Sequence, residues 1–278
     1  MTEVAVVVPT HDRPELLAVT LQSIVAQRDV DMAVAVVDDG SSNPRSVREV
    51  VEAFGDSRVS LVRHEAPRGV CAARNTGISH TASEWVAFCD DDDVWAPEKL
   101  TSQLAAARSA AAQWVYTGQV SIDGELRVRD GAAPLEPRAL VQELEYYNPV
   151  PAGSSNVMVR RSVLDVVGWF DPTLRSVGDW DMWIRLSRSG LPACVPDPLV
   201  RCRLHGHDYA ESPPHARGSA DCCQATPGAG GLASSSQVGR LEQHARRTQV
   251  RGAWLLRPRR PARRPGVGGS CGHRARLP

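Results

Sequence analysis

No uninterrupted apolar run in the chain approaches the roughly 20 residues that a membrane-crossing helix requires. No basic start leads into an apolar signal segment either. The sequence therefore predicts neither a spanning protein nor a secreted one. Cysteine occurs at seven positions, Cys71, Cys89, Cys194, Cys202, Cys222, Cys223 and Cys271. That number is odd, the spacing is scattered and CxxC pairs are missing, so neither a disulfide framework nor a zinc site is indicated. A reducing cytoplasm is the expected compartment. Lysine is nearly absent: Lys99 stands alone against 31 arginines. The bias reads as GC-rich coding rather than selection for phosphate, and nucleic-acid binding gains no support from it.

What is present divides unevenly. The formal net charge is +0, but residues 1–212 hold 20 Lys+Arg against 30 Asp+Glu, and residues 213–278 hold 12 against 2. An acidic body carries a basic tail. The 278 residues suffice for one large α/β domain or two small ones. From about Pro213 the sequence turns to Arg, Pro, Gly, Ala and Ser, without Phe or Ile. Such a segment buries too little apolar surface to order itself. It is expected to be a disordered tail or an out-of-frame read of GC-rich coding sequence.

The first hundred residues alternate short β-branched runs with helix-period stretches, the pattern of β-α-β units and a mainly parallel sheet flanked by helices. Val4–Val8, Ala33–Val37, Val59–Val62 and Trp85–Cys89 are the expected strands. Leu16, Leu17, Leu21, Ile24 and Val25 mark a first helix, with Asp12 as its cap and Pro14 in its first turn. Val47, Val50, Val51 and Phe54 mark a second helix, and a third opens at Gly69. Beyond residue 113 the pattern is less regular. A hairpin of Trp114–Ile122 and Glu125–Val128 around Asp123-Gly124 is expected, then helices near 137–145, 161–167 and 179–189 and a strand near 199–204.

Three polar clusters, Pro9-Thr10, Asp38-Asp39 and Asp90 to Asp93, end predicted strands, at the sheet edge where open α/β folds bind ligands. The strongest is Asp90-Asp91-Asp92-Asp93. Two carboxylates about 4 Å apart repel by roughly 4 kcal/mol at an effective dielectric of 20. Four in a row must diverge into water or share a cation, and a hard divalent ion with oxygen ligands would relieve the repulsion. The second is Asp38-Asp39-Gly40-Ser41-Ser42, which fits an acceptor for a ring imide or ribose hydroxyl, or an ordinary turn with a helix cap. A further motif starts a helix at Gly69, with Arg74 one turn inside, able to reach a diphosphate or to be merely solvated.

Together and in this order these clusters resemble the GT-A fold glycosyltransferases of family 2, inverting enzymes that use nucleotide sugars. The resemblance runs from about Val4 to His205. It rests on VVPT at the first strand end, VVDDGSS (36–42), GVCAARNTGI (69–78), FCDDDDVW (88–95), SSNVMVRRSVLDVVGWFD (154–171) and GDWDMWIRL (178–186). It implies residues 1–112 as the nucleotide-sugar-binding half and 113–212 as the half for acceptor and catalytic base. Asp39 resembles the family's base-recognising aspartate, with Pro9 and Thr10 in the same pocket wall. Asp90 and Asp92 match the acids of the DXD motif, the first near the ribose and the second binding Mn²⁺ or Mg²⁺; Asp91 and Asp93 are neighbours of undivided share. Arg74 is implied as a nucleotide contact.

Asp179 falls on the second acid of a Glu-Asp pair, the general base, while Gly178 stands where the glutamate usually is. Asp181 is its reserve, and a helix cap is the other reading of Asp179. His205, with His207 as alternative, resembles a late histidine that completes the metal shell or touches phosphate. His11, His64 and His80 are expected at the surface or in structural roles. The implied reaction moves a sugar from a nucleoside diphosphate sugar to a hydroxyl of a saccharide, lipid-linked or small-metabolite acceptor, with inversion. No nucleic acid is implied as a partner, and membrane contact would be peripheral. Two alternatives stand beside it: a sugar-1-phosphate nucleotidyltransferase, although Pro9–Pro14 lacks the glycine-rich loop of that class, and a nucleotide-sugar-binding pseudoenzyme.

Overall fold

The computed structural model describes residues 2–204. The expectations for residues 213–278 and for His205 and His207 lie outside them. The first half runs β1 (Thr2–Thr10), α1 (Pro14–Val25), β2 (Met32–Asp38), α2 (Pro44–Phe54), β3 (Val59–Arg63), α3 (Val70–His80) and β4 (Ser83–Phe88). β1 pairs in parallel with both β2 and β4, and β2 with β3. Then come β5 (Val94–Trp95), α4 (Lys99–Ser109), β6 (Trp114–Ile122), β7 (Val128–Ala132) and α5 (Pro137–Glu143). A 3₁₀ turn (Gly153–Asn156) leads to β8 (Met158–Arg160), α6 (Arg161–Val167), α7 (Gly178–Ser187) and β9 (Ala193–Arg203).

One sheet has the order β3-β2-β1-β4-β8-β6-β9-β5, with β7 pairing β6 outside that path. β8 lies antiparallel to β4 and β6, while β6 and β9 are parallel. The chain leaves β1 toward β2 and β3, then crosses back to place β4 on the other side of β1. This reversal opens a crevice at the carboxyl ends of β1 and β4.

Alternation along β1 divides the core. Val4, Val6 and Val8 face Leu17, Leu21 and Ile24 of α1, Val47 of α2 and Leu100 and Leu104 of α4. Val7 faces the other way, with Val86 and Phe88 of β4, Ile78 of α3, Leu164 of α6 and Met182, Trp183 and Leu186 of α7. Each such fully buried Leu or Ile is worth about 1.5–3 kcal/mol over leaving it in water. Trp183 stacks on Trp114 at 6.4 Å, and Phe170 meets Phe88 edge-on at 5.0 Å, so an aromatic cluster anchors α7.

Several local expectations are corrected. Asp12 does not cap α1. Its backbone is left-handed at φ 55 and its carboxylate accepts from the Ser42 N–H and hydroxyl, so Arg13 stands at the helix start with no side-chain cap. The second strand of the hairpin is Val128–Ala132, because Asp123 Oδ1 accepts from the N–H groups of Glu125 and Arg127 and draws those residues into the turn. The last strand begins at Ala193 instead of 199, paired in parallel along β6. Strands β5 and β8 and helix α4 are additions that the sequence pattern did not signal.

Candidate active site

Thr10 and Asp38 are register partners at the ends of β1 and β2, and Cys89 N–H bonds Val7 O where β4 runs into the acidic turn. A cleft of about 480 Å³ opens there. Pro9, Thr10, Asp39, Arg74, Asp90, Asp91, Asp92 and Asp179 all line it, as do Asp93, His11, Arg13, Gly153, Ser154, Arg175 and Arg203. The described residues expected to bind the nucleotide sugar or the metal, and Asp179, thus reach one cavity, whereas the reserve Asp181 does not.

The four aspartates diverge, with Arg13 reaching both Asp91 and Asp92. Asp90 Oδ1 accepts from Arg74 Nη2 at 2.6 Å, and its N–H donates to Ser155 Oγ at 2.9 Å. Asp91 Oδ2 accepts from Thr10 Oγ1 at 2.7 Å. Burial pushes the Asp91 carboxyl up to about 6, against the pull of the Thr10 bond and of Arg13. Asp92 Oδ2 accepts from Arg13 Nη1 at 3.0 Å, and its carbonyl accepts from Arg203 Nε at 3.2 Å. Asp93 turns inward: Oδ1 accepts from the Arg203 N–H, its carbonyl takes the Thr20 hydroxyl, and burial pushes its carboxyl well above the usual range. Asp93 is therefore a structural member of the turn.

Among the described residues no three His, Cys, Asp or Glu side chains gather as a metal cage. A small divalent ion that arrives with phosphate oxygens needs only one or two protein carboxylates. Asp92 and Asp90 fit that requirement, since both line the cleft and the Asp92 carboxylate pairs with the half-exposed Arg13.

Asp39 lies 7% exposed and has three hydrogen bonds: Oδ1 accepts from His64 Nδ1 at 2.6 Å and from the Arg68 N–H at 2.9 Å, and Oδ2 from the Gly69 N–H at 2.8 Å. Burial pushes its carboxyl up, but these bonds outweigh it and hold the group below its usual value. A carboxylate has about four acceptor positions, so Oδ2 can take one further donor. Gly40 makes the turn possible: its φ is +74°, and a β-carbon there would collide with the Ala66–Pro67 backbone. His64 is buried and bridges Asp39 to Thr76 Oγ1, a structural role. Asp38 faces away, bound by Arg63 and the Ser41 N–H.

Asp179 does not cap α7. The helix starts at Gly178 behind Val177, and Asp179 sits inside the first turn. Its Oδ1 accepts from the Trp180 N–H at 2.8 Å and its Oδ2 from Asn148 Nδ2 at 3.2 Å. Gly153, at φ +46°, leaves room for that carboxylate, since a β-carbon there would lie 3.0 Å from Oδ2. The reserve, Asp181, does not line the cleft and pairs with Arg185 at 2.7 Å. Arg74 links the two acidic regions. Burial alone would lower its pKa, but Asp90 and Asp179 raise it, so it stays charged. Its Nε is buried without a hydrogen-bond partner among the described residues.

Sequence reasoning missed Arg13, Arg175 and Arg203. A loop arginine in so arginine-rich a chain carries no pattern, and only the register of β9 against β6 brings Arg203 to the turn. His11, expected at the surface or in a structural role, is about half exposed with Nδ1 at 2.9 Å from Asp39 O, and it also lines the cleft.

The chain is similar to proteins named as glycosyltransferases. It is 24% identical over 184 residues to WcaA of Escherichia coli (strain K12), whose name assigns it provisionally to colanic acid biosynthesis, covering 66% of this chain and 65% of that protein. It is 28% identical over 131 residues to the Escherichia coli UDP-Glc:alpha-D-GlcNAc-diphosphoundecaprenol beta-1,3-glucosyltransferase WfgD, covering 47% and 51%. The chain thus spans about half to two thirds of these relatives. Among solved structures, S. aureus TarS 1-349 superposes with a TM-score of 0.60 at 18% identity over 72% of this chain and 60% of that one. The complex of the same protein with UDP-GlcNAc gives 0.60 over 77% and 63%. The architecture is the GT-A fold expected from the sequence. Residues 5–168 match the model of glycosyl transferase family 2, and with more than half its length so matched the chain belongs to that family.

Proposed function

We propose that the protein transfers a sugar from a nucleoside diphosphate sugar to an acceptor hydroxyl with inversion, and that the reaction depends on a divalent metal. The observation that carries this reading is the convergence of Pro9, Thr10, Asp39, Arg74, Asp90, Asp92 and Asp179 on one cleft at the carboxyl edge of the sheet. The solved TarS complexes contain UDP and UDP-GlcNAc, which favours a uridine nucleotide as the donor. The relatives' names speak for a growing saccharide or a lipid-linked saccharide as the acceptor.

Asp39, with one acceptor position left, takes a donor from the nucleobase beside Pro9 and Thr10. Arg74, which lines the cleft, offers a charged guanidinium to the nucleotide. Asp92, with Asp90 beside it, would hold Mn²⁺ or Mg²⁺, which when bound supplies Lewis-acid neutralisation of the leaving diphosphate. Arg13 must release Asp92 for this, and its half-exposed side chain can do so. Asp179 takes the proton of the acceptor hydroxyl as the new bond forms. Attack from the Asp179 side, opposite the departing diphosphate, inverts the anomeric centre.

The test uses Asp179→Asn. UDP affinity measured by calorimetry with Mn²⁺ is expected to stay unchanged, while UDP release from UDP-glucose or UDP-GlcNAc falls by about 10²- to 10⁴-fold. Full turnover in that variant removes Asp179 as the base.

A further inference from the structure

Gly178 is where the sequence departs from the family's acid pair, and a sulfur atom occupies the space beside it. A β-carbon at position 178 would lie under 3.0 Å from Cys71 Sγ, which real β-carbons essentially never do. The next atoms it would meet, Cys71 Cβ and Leu174 Cβ, stand at 3.9 Å, an ordinary contact. Gly178 is not among the residues with positive φ, so space requires the glycine and backbone strain does not. Of the atoms that this β-carbon would meet first, only the sulfur lies closer than an ordinary contact, so a methyl there requires the Cys71 side chain or α7 to shift.

Cys71 is buried and does not line the cleft. Its Sγ donates to Leu174 O at 3.3 Å, and burial pushes the thiol above its ordinary value, so it acts as a small neutral plug. One turn along the same face of α3, Asn75 exchanges two bonds with Phe170: Nδ2 donates to Phe170 O at 2.7 Å and Oδ1 accepts from Phe170 N–H at 3.0 Å. Between them Arg74 lies 5.3 Å from the Phe170 ring. The segment from Phe170 to Gly178 is thus pinned to α3 at its start by Asn75 and at Leu174 and Gly178 by Cys71. The next residue is Asp179.

We propose that Cys71 is a positioning residue: its sulfur, seated on Gly178, sets how closely the first turn of α7 docks on α3 and so places the Asp179 carboxylate in the cleft. Cysteine at 71 and glycine at 178 form a matched pair. This inference rests on the reading of Asp179 as the general base.

The test uses the full chain, with UDP release from UDP-glucose and UDP-GlcNAc in the presence of Mn²⁺, and UDP affinity by calorimetry. Gly178→Ala is expected to lower turnover by about 10²-fold, the scale of a displacement near 1 Å, with UDP affinity unchanged. Cys71→Ala, which removes the plug without a clash, is expected to lower turnover by about tenfold with the same split. In the double variant the new methyl meets only atoms at 3.9 Å, and turnover returns toward wild type. Wild-type turnover in Cys71→Ala or in Gly178→Ala overturns the pairing, as does a double variant no faster than its slower parent. If melting temperatures couple but turnover does not, the contact is structural only and the proposal falls. Asp179→Asn, run in parallel, separates the two claims. Lost turnover there without Cys71–Gly178 coupling sinks the pairing alone, whereas retained turnover sinks the base assignment.

Discussion

Lys99 is the only lysine of the chain, and it is fully buried. Its Nζ sits 3.9 Å from the centre of the Trp95 ring and donates to Gln103 Oε1 at 2.8 Å. Gln103 Nε2 passes the network on to Asn156 O at 2.7 Å. Burial lowers the Lys99 pKa to about 7. Between about pH 7 and 10 the unfolded chain binds a proton there that the folded chain does not, so stability rises with pH across that window. Below it both states are charged and the full burial penalty persists. Lys99→Met lacks this slope. Its stability relative to wild type, read from urea midpoints, is expected to be highest at or below about pH 7 and to decline toward about pH 10. Parallel pH curves for the two proteins would contradict the assignment. Nothing in the sequence signals this buried amine, because a lysine opening a helix reads as solvated.

At the scale of elements, α1 and the turn that follows it work through their polar residues as much as through the leucines of the helix. Thr20 donates to Asp93 O at 2.8 Å, Ser23 Oγ accepts from the Trp95 N–H at 3.1 Å, and Gln27 bonds both Ala96 O, at 2.6 Å, and the Leu100 N–H, at 3.0 Å. This buried stripe fastens the acidic turn, β5 and the start of α4 to one helix. Gln27→Ala leaves the buried Leu100 N–H without its partner, while Ala96 O keeps the Lys99 N–H, and is expected to cost about 1–3 kcal/mol. A urea denaturation series measures the loss, and a change below about 0.5 kcal/mol, the usual scale of a surface substitution, would refute the stripe's role. The strands β1, β2 and β4 were legible because a buried β-branched run stops abruptly at Pro9-Thr10, Asp38-Asp39 and Asp90. The stripe was not, because Thr20 and Ser23 on a helix and Gln27 just past its end read as wet surface until a partner is known. β8 has three residues and β5 two, too few for any periodicity to show.

Across the whole molecule, one sheet gathers residues from positions 9 to 203 at a single edge. Asp39 and the aspartates of the acidic turn were readable because they stand at the ends of predicted strands. Asp179 was placed by its motif, whereas its docking on α3 through Cys71 and Gly178 depends on packing between segments about a hundred residues apart, beyond the reach of local pattern. The cleft balances its aspartates with Arg13, Arg74, Arg175 and Arg203, so an anionic ligand meets a prepared set of cations and an acidic turn together. No helix among the described residues is long and apolar enough to cross a membrane.

Calorimetric titration of UDP into the full chain, with and without Mn²⁺, on wild type and Asp92→Ala, bears most directly on the acidic turn as the seat of a metal-borne diphosphate. Wild type is expected to bind UDP markedly more tightly with Mn²⁺, and Asp92→Ala to lose that metal-dependent gain. Equal gains from Mn²⁺ in both proteins would contradict it.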